Sequence, residues 1–311
     1  MLHNTLSKAL LLSVLALTVM TAACQGQVTL KHKFHEGSSQ IVETTARIEQ
    51  SLTINGMAID TASDTRATAK TSVGTRDVEG KLRVQEKGES LQISMDVMGM
   101  KYEFDSANPD NKGGSPLEIL RDVHKALMRR TTTIVFDKSD KAVAIETDED
   151  TLGTLSVEVQ SLVKSQLDAE NLKSEANAAL DQIKSDPVKK GDTWQRVKGT
   201  NFGAGQVMDF KTEYTYDGTV EKDGKTFDKI TSKNLSVTFA LDNSPLPFSL
   251  KSADLKSPES EGVILFDRER GQIVESTSKV RVTGEIIFSL NGKDLPATLD
   301  LKMQTATVVK N

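Results

Sequence analysis

The chain has 311 residues, a formal net charge of −5, 5% aromatic residues, one cysteine and one tryptophan. Its lysines and arginines are scattered and lack interleaved aromatics, which excludes a nucleic-acid-binding stripe, and a lone cysteine excludes an internal disulfide framework. The scarcity of aromatics argues against a ring-lined sugar cleft or a cofactor box and leaves Val, Ile, Leu and Met to build the core.

Residues 1–24 read as a signal peptide. Lys8 supplies the positive end, residues 9–20 an apolar run too short to span a bilayer, and Thr21, Ala22 and Ala23 the small residues before the cut. Cys24 then stands where a lipoprotein peptidase leaves an acylatable cysteine. The stretch resembles a relaxed bacterial lipobox with Thr21 in place of the usual leucine, and ordinary cleavage after Ala23 fits the same residues. Lipidation of Cys24 would tether the chain to a membrane and leave no free thiol.

Strand periodicity follows. "VTLKHKF" places Val28, Leu30, His32 and Phe34 on one face, and Val42, Thr44, Ala46, Ile48, Gln50, Leu52 and Ile54 alternate up to Asn55-Gly56, a strong hairpin signal. The strand from Met57 is rich in Thr and Ala, which suits exposure. A second hairpin is expected around Lys87-Gly88. Leu91, Ile93, Met95 and Val97 alternate there, and the in-facing set then slips to Met98, Met100, Tyr102 and Phe104, as a β-bulge at Met98-Gly99 would produce. Met95, Met98, Met100, Tyr102 and Phe104 form the candidate apolar groove, because flexible thioethers can line an adaptable surface; the same residues also suit a core.

The loop at 105–114 carries Asp105, Asn108, Asp110 and Asn111, but its spacing fails the calcium-loop template because Pro116 occupies the twelfth position. Ser115, Pro116 and Glu118 form a helix start with a capping box, followed by a stripe of Leu117, Leu120, Leu127 and Met128 with His124 beside it. "ETDED" at 146–150 reads as a solvated acidic edge. Leu155, Val159, Leu162, Val163 and Leu167 keep helical spacing. Asp168 caps a further helix with Leu172, Ala176, Leu180 and Ile183 inward, which Asp186-Pro187 stops.

The final third returns to strands. Gly191-Asp192 makes a tight turn that sends Trp194 inward as a packing anchor, and "NFGAGQ" at 201–206 reads as a hairpin tip. Met208, Phe210, Thr212, Tyr214 and Tyr216 share one side. Asp223-Gly224 turns the chain, Leu235, Val237, Phe239 and Leu241 alternate, and the last two strands pair across Asn291-Gly292-Lys293. The stretches 133–147 and 263–277 both run strand, Phe-Asp, charged turn, strand, a weak internal repeat.

Four of these stretches, "VTLKHKFHEG", "YEFDSANP", "FDKSDKAV" and "DPVKKGDTW", occur in this order in a layout that resembles an uncharacterised family of bacterial envelope proteins, defined only as a domain of unknown function. The resemblance covers most of the mature chain. It implies an exported location and two β-rich halves, and brings no catalytic residues.

The expected fold class is α+β: two curved antiparallel β-sheets, duplicated half-barrels if the repeat is real, packed on a few amphipathic helices. The expected divisions are 1–24 signal peptide, 25–150 first β-rich half with one helix, 151–186 helical segment and 187–311 second β-rich half. The sequence contains no nucleophile elbow, phosphate loop, dinucleotide fingerprint or zinc-protease motif. His32 and His35 point to opposite sides of a strand, and His124 lacks a ligand at helical spacing. No catalytic, cofactor or metal site is expected; an enzyme would need dispersed carboxylates such as Asp267 and Glu285 to meet. The functional expectation is an exported envelope protein that binds or carries an apolar ligand. The alternative is a structural or protein-interaction module, its partner unspecified.

Overall fold

The structure is a computed structural model that describes residues 26–110, 116–147, 156, 159–160, 168–203, 205–241, 244 and 247–310. The signal segment with Cys24, the cap Ser115, Asn111 and the helical positions Leu155, Leu162, Val163 and Leu167 lie outside these.

Along the chain run β1 (Ser39–Ile54), β2 (Met57–Val73), β3 (Leu82–Val97), β4 (Met100–Asp105), α1 (Ile119–Arg129), β5 (Thr131–Phe136), β6 (Ala142–Thr147), α2 (Ala169–Asp181) and β7 (Thr193–Gly203). Five long strands complete it: β8 (Gln206–Lys222), β9 (Lys225–Leu241), β10 (Ser249–Asp267), β11 (Gln272–Leu290) and β12 (Lys293–Lys310). The expected α+β packing of two sheets on helices is not what forms. The 12 strands make one antiparallel sheet in the order β6-β5-β3-β2-β1-β12-β11-β10-β9-β8-β7, with β4 paired to β3 off this path. The reason is β12, which pairs with β1 on one side and β11 on the other along nearly its whole length and so joins the two β-rich stretches.

Alternation sorts the side chains onto two faces. Even-numbered residues of β1 face inward with Ala297, Leu299 and Leu301 of β12. The outer face carries cross-strand ion pairs such as Arg281 with Asp300 at 2.8 Å and Glu259 at 3.1 Å. The sheet covers its own inner face. β9 and β10 pair only where Asp228–Ser232 meets Gly262–Phe266, and further along β10 Pro258 has no N–H to donate. Beyond that seam the two flaps share one core, Met208, Phe210 and Val237 from one side and Leu255, Val282 and Leu301 from the other. Gly284 permits the tight β10–β11 contact, since a Cβ there would overlap the Asp254 carbonyl oxygen.

The two sheet edges meet on α2. Asn177 treats β6 as a neighbouring strand would: its Oδ1 accepts from the Ala142 N–H at 2.9 Å and its Nδ2 donates to the Ala142 carbonyl at 3.1 Å. On β7, Trp194 Nε1 donates to the Gln182 carbonyl at 2.9 Å and Arg196 Nε to the Asp181 carbonyl at 2.7 Å. Both edges are thus capped and the sheet is bent into a ring. The segment at 28–35 crosses inside it, bridged to Val188, with Leu30 buried beside Trp194 and Phe266 and Phe34 against Phe136.

The hairpin signals Asn55-Gly56, Asp223-Gly224 and Asn291-Gly292 all sit at turns, and Met208, Phe210, Thr212, Tyr214 and Tyr216 are all buried. Asp168 caps α2, accepting from the Asn171 N–H at 2.8 Å. Two local expectations need correction. The turn lies at Met98-Gly99, both with positive φ, whereas Lys87-Gly88 lies within β3. There Ala69 faces Gly88 while Thr68 faces Ser90, so Glu89 is the extra residue of a bulge, and Met128 of α1 occupies the space a Cβ on Gly88 would need. Leu235 is likewise a bulge residue, 44% exposed, because Lys211 faces Ser236 and Thr212 faces Asn234. Glu118 accepts from Arg121 Nε at 2.6 Å, and the expected box with Ser115 lies outside the described residues.

Candidate functional site

Two cavities differ in which face they open on. The larger, about 1080 Å³, crosses β4, β3, β2, β1, β12, β11 and β10, and three consecutive residues of each strand line it, as in 45–47, 64–66 and 304–306. The middle residue of each triplet faces inward and the flanking two outward. The inner-face neighbours two positions away, such as Thr44 and Ile48, do not line it, so this groove lies on the outer face. Its floor is backbone. Its walls are two in-register rows, Arg66–Thr45–Ala306–Thr277 and Asp64–Arg47–Gln304–Lys279 at their centre. Arg47 reaches Glu49 at 2.8 Å and Asp64 at 3.9 Å, solvated pairs that contribute little to stability.

Over β1, β2, β3 and β5 the second cavity, about 290 Å³, is lined by alternate residues: Gln40 and Val42, Thr71 and Val73, Val84 and Glu86, Ile134 and Phe136. It therefore lies inside the ring. Ala176, Ala179 and Leu180 of α2 roof it, and the segment from His32 to His35 forms a wall. This geometry follows from the sequence: Leu82, Val84 and Glu86 alternate on β3, and the small alanines of α2 leave room beneath the helix.

Beside its aliphatic residues the inner cavity is lined by His32, Lys33, His35, Ser38, Gln40, Thr71, Glu86 and Gln272. Glu86 is exposed, and partial desolvation by the protein around it pushes its carboxyl above its usual range. Burial also lowers the His32 imidazole, only partly offset by Asp140; its ring meets Phe266 edge-on and its buried Nε2 has no partner among the described residues. His35 Nε2 bonds the Arg270 carbonyl at 2.7 Å, away from His32. Among the described residues no three His, Cys, Asp or Glu side chains gather as metal ligands.

The sequence-derived groove residues are distributed as follows. Met95 faces Tyr102 and Ile93 faces Phe104 across β3 and β4. Tyr102 and Phe104 are buried beside α1, where His124 Nδ1 shares a 2.8 Å hydrogen bond with the Tyr102 hydroxyl. Met98 is 55% exposed at the turn and Met100 38% exposed after it. Neither cavity is built from the methionines. Asp267 and Glu285 sit far apart on the β10–β11 ladder, opposite Gln272 and Asp254. Glu86 escaped notice, although an acid continuing the apolar series Leu82, Val84 is the signal that marks it.

No family model matches the chain, and no curated protein does. Among solved structures, lipovitellin, described for its lipid–protein interactions, aligns at a TM-score of 0.42 with 9% identity over 90% of this chain. The chain spans 26% of that protein's length. A DUF1329 family protein from Desulfovibrio piger aligns at 0.13 with 8% identity over 85% of this chain and 84% of its own. The outer membrane protein OprG of Pseudomonas aeruginosa aligns at 0.15 with 8% identity over 88% and 97%. TM-scores below 0.5 carry no argument about function. Among the described residues no helix is long and apolar enough to cross a membrane.

Proposed function

We propose that this protein is an exported, non-catalytic binding protein that holds a compact apolar ligand in the cavity beneath α2. One observation carries this reading: of the two cavities, the one inside the ring is walled by Val42, Val73, Val84, Ile134, Phe136 and Leu180. Its volume, about 290 Å³, is close to the ~300 Å³ lower bound of ligand pockets, which suits a ring or a short branched chain better than a long acyl chain. The signal in residues 1–24 supports an envelope location, and acylation of Cys24 would tether the protein to a membrane. The test is an NMR titration of the full chain with toluene. Methyl signals of Val42, Val84 and Ile134 should shift. Ala176→Phe, which fills the roof, should weaken binding about tenfold, ~1.4 kcal/mol. Toluene shifts that ignore these methyls would contradict the reading.

The outer groove favours the alternative, an extended partner laid across the strands. Reversing the charges of Arg47 and Lys279 would then abolish partner crosslinking and leave toluene binding unchanged.

A further inference from the structure

The methionines of the β3–β4 hairpin line neither cavity, and packing does not explain them. Residues 95–100 read Met-Asp-Val-Met-Gly-Met. Met95 faces Tyr102 and Met100 faces Val97 across the ladder. Met95 and Met100 are therefore diagonal neighbours on one side of the hairpin, within reach of each other's long side chains. Met98 stands in the turn that joins their strands. Its N–H donates to the Asp60 carbonyl of β2 at 2.9 Å, and Asp96 Oδ1 accepts from the Gly99 N–H at 2.8 Å, which fixes the turn from both sides. Met98 is poorly suited to that turn. Its φ is 54°, and the comparable hairpin turns of this molecule place Asn55, Asp223 and Asn291 there, each ahead of a glycine. A short polar side chain adopts this conformation at low cost and a long apolar one does not. Burial does not offset the cost, since Met98 is 55% exposed and Met100 38%. Strain of this kind, on an exposed residue, points to function rather than folding.

We infer that Met95, Met98 and Met100 form a binding site for a soft monovalent metal ion, the class of Cu(I) and Ag(I), held by their thioether sulfurs. A thioether is uncharged and polarisable, so it favours soft ions over oxygen-seeking ions such as Ca²⁺ and Mg²⁺. The ion binds in the oxidation state in which it arrives, with no electron transferred. The site lies on a hairpin turn outside the inner cavity, so it stands or falls separately from the apolar-ligand reading.

The probe is silver nitrate, whose Ag(I) stays monovalent in air, titrated by NMR into the full chain carrying Cys24→Ser so that no thiol competes. The methyl signals of Met95, Met98 and Met100 should shift together and saturate. Those of Met57, an exposed methionine at the start of β2, should stay in place, and calcium chloride should shift none of them. Met100→Leu, which keeps the apolar bulk, should lower Ag(I) affinity about tenfold or more. Met98→Asn should do the same and, without metal, should melt at a higher temperature than its parent, because asparagine suits the positive φ. A lower melting temperature would mean that Met98 is there for packing and would overturn the assignment. Ag(I) shifts shared equally by Met57, unchanged affinity in either variant, or the absence of saturable binding would overturn it as well.

Discussion

At the residue scale the clearest consequence concerns His124. Burial, reinforced by the nearby Arg121 charge, pushes its imidazole down to about 4. Arg121 is itself 2% exposed, held by Glu118 and the Glu103 carbonyl and set over the Tyr102 and Phe104 rings. An unfolded histidine takes its proton near pH 6.5, so between pH 6.5 and 4 the unfolded chain binds more protons than the folded one. Stability from this site is therefore complete above pH 6.5 and is lost as pH falls toward 4, by on the order of 3 kcal/mol. Urea denaturation of wild type and His124→Phe across that range checks it. The loss should be smaller in the variant, and parallel curves would show that His124 is not the group responsible. The sequence placed His124 beside an apolar stripe but gave no sign of its burial. The buried face of α1 is Arg121, Val123 and Ala126, and an arginine reads as exposed until its bonds and ring contacts are seen. Trp194 was legible because a lone tryptophan after a tight turn has few places to go but inward.

At the scale of elements, α2 is a closing piece rather than a core helix. None of its residues is fully buried, and its role lies in what it gives the sheet edges. Asn177→Ala removes a donor and an acceptor from the backbone of Ala142 and should destabilise the protein by about 1–3 kcal/mol. Amide exchange at Ala142 should accelerate with it. Unchanged stability together with unchanged exchange would show that β6 does not depend on the helix. Turn chemistry was legible where side chains favour positive φ: Asn55, Asp223 and Asn291 adopt 49°, 51° and 50° ahead of their glycines. Met98 adopts 54° in the same setting, and a methionine has no short polar side chain to announce it. The bulges at Glu89 and Leu235 were hidden for a related reason, since alternation before and after a bulge looks regular on each side.

At the scale of the whole molecule, alternation reveals which face a residue takes and not which strand lies beside it. The pairing of 41–54 with 297–310 joins the first and last of the described strands in chain order, at the middle of the sheet, and no local pattern encodes it. That pairing turns two expected sheets into one, and it sets the inner face of β1 and β2 beneath α2, where the cavity forms. Everything proposed about the cavity ligand depends on the ring being closed: with either edge released, the cavity is an open shelf. The direct measurement is a set of nuclear Overhauser contacts from α2 in the intact chain. The Asn177 side-chain amide should contact Ala142 on β6 and the Trp194 indole N–H on β7 should contact Gln182, both in one folded species. Contacts from α2 to only one of the two edges would contradict it.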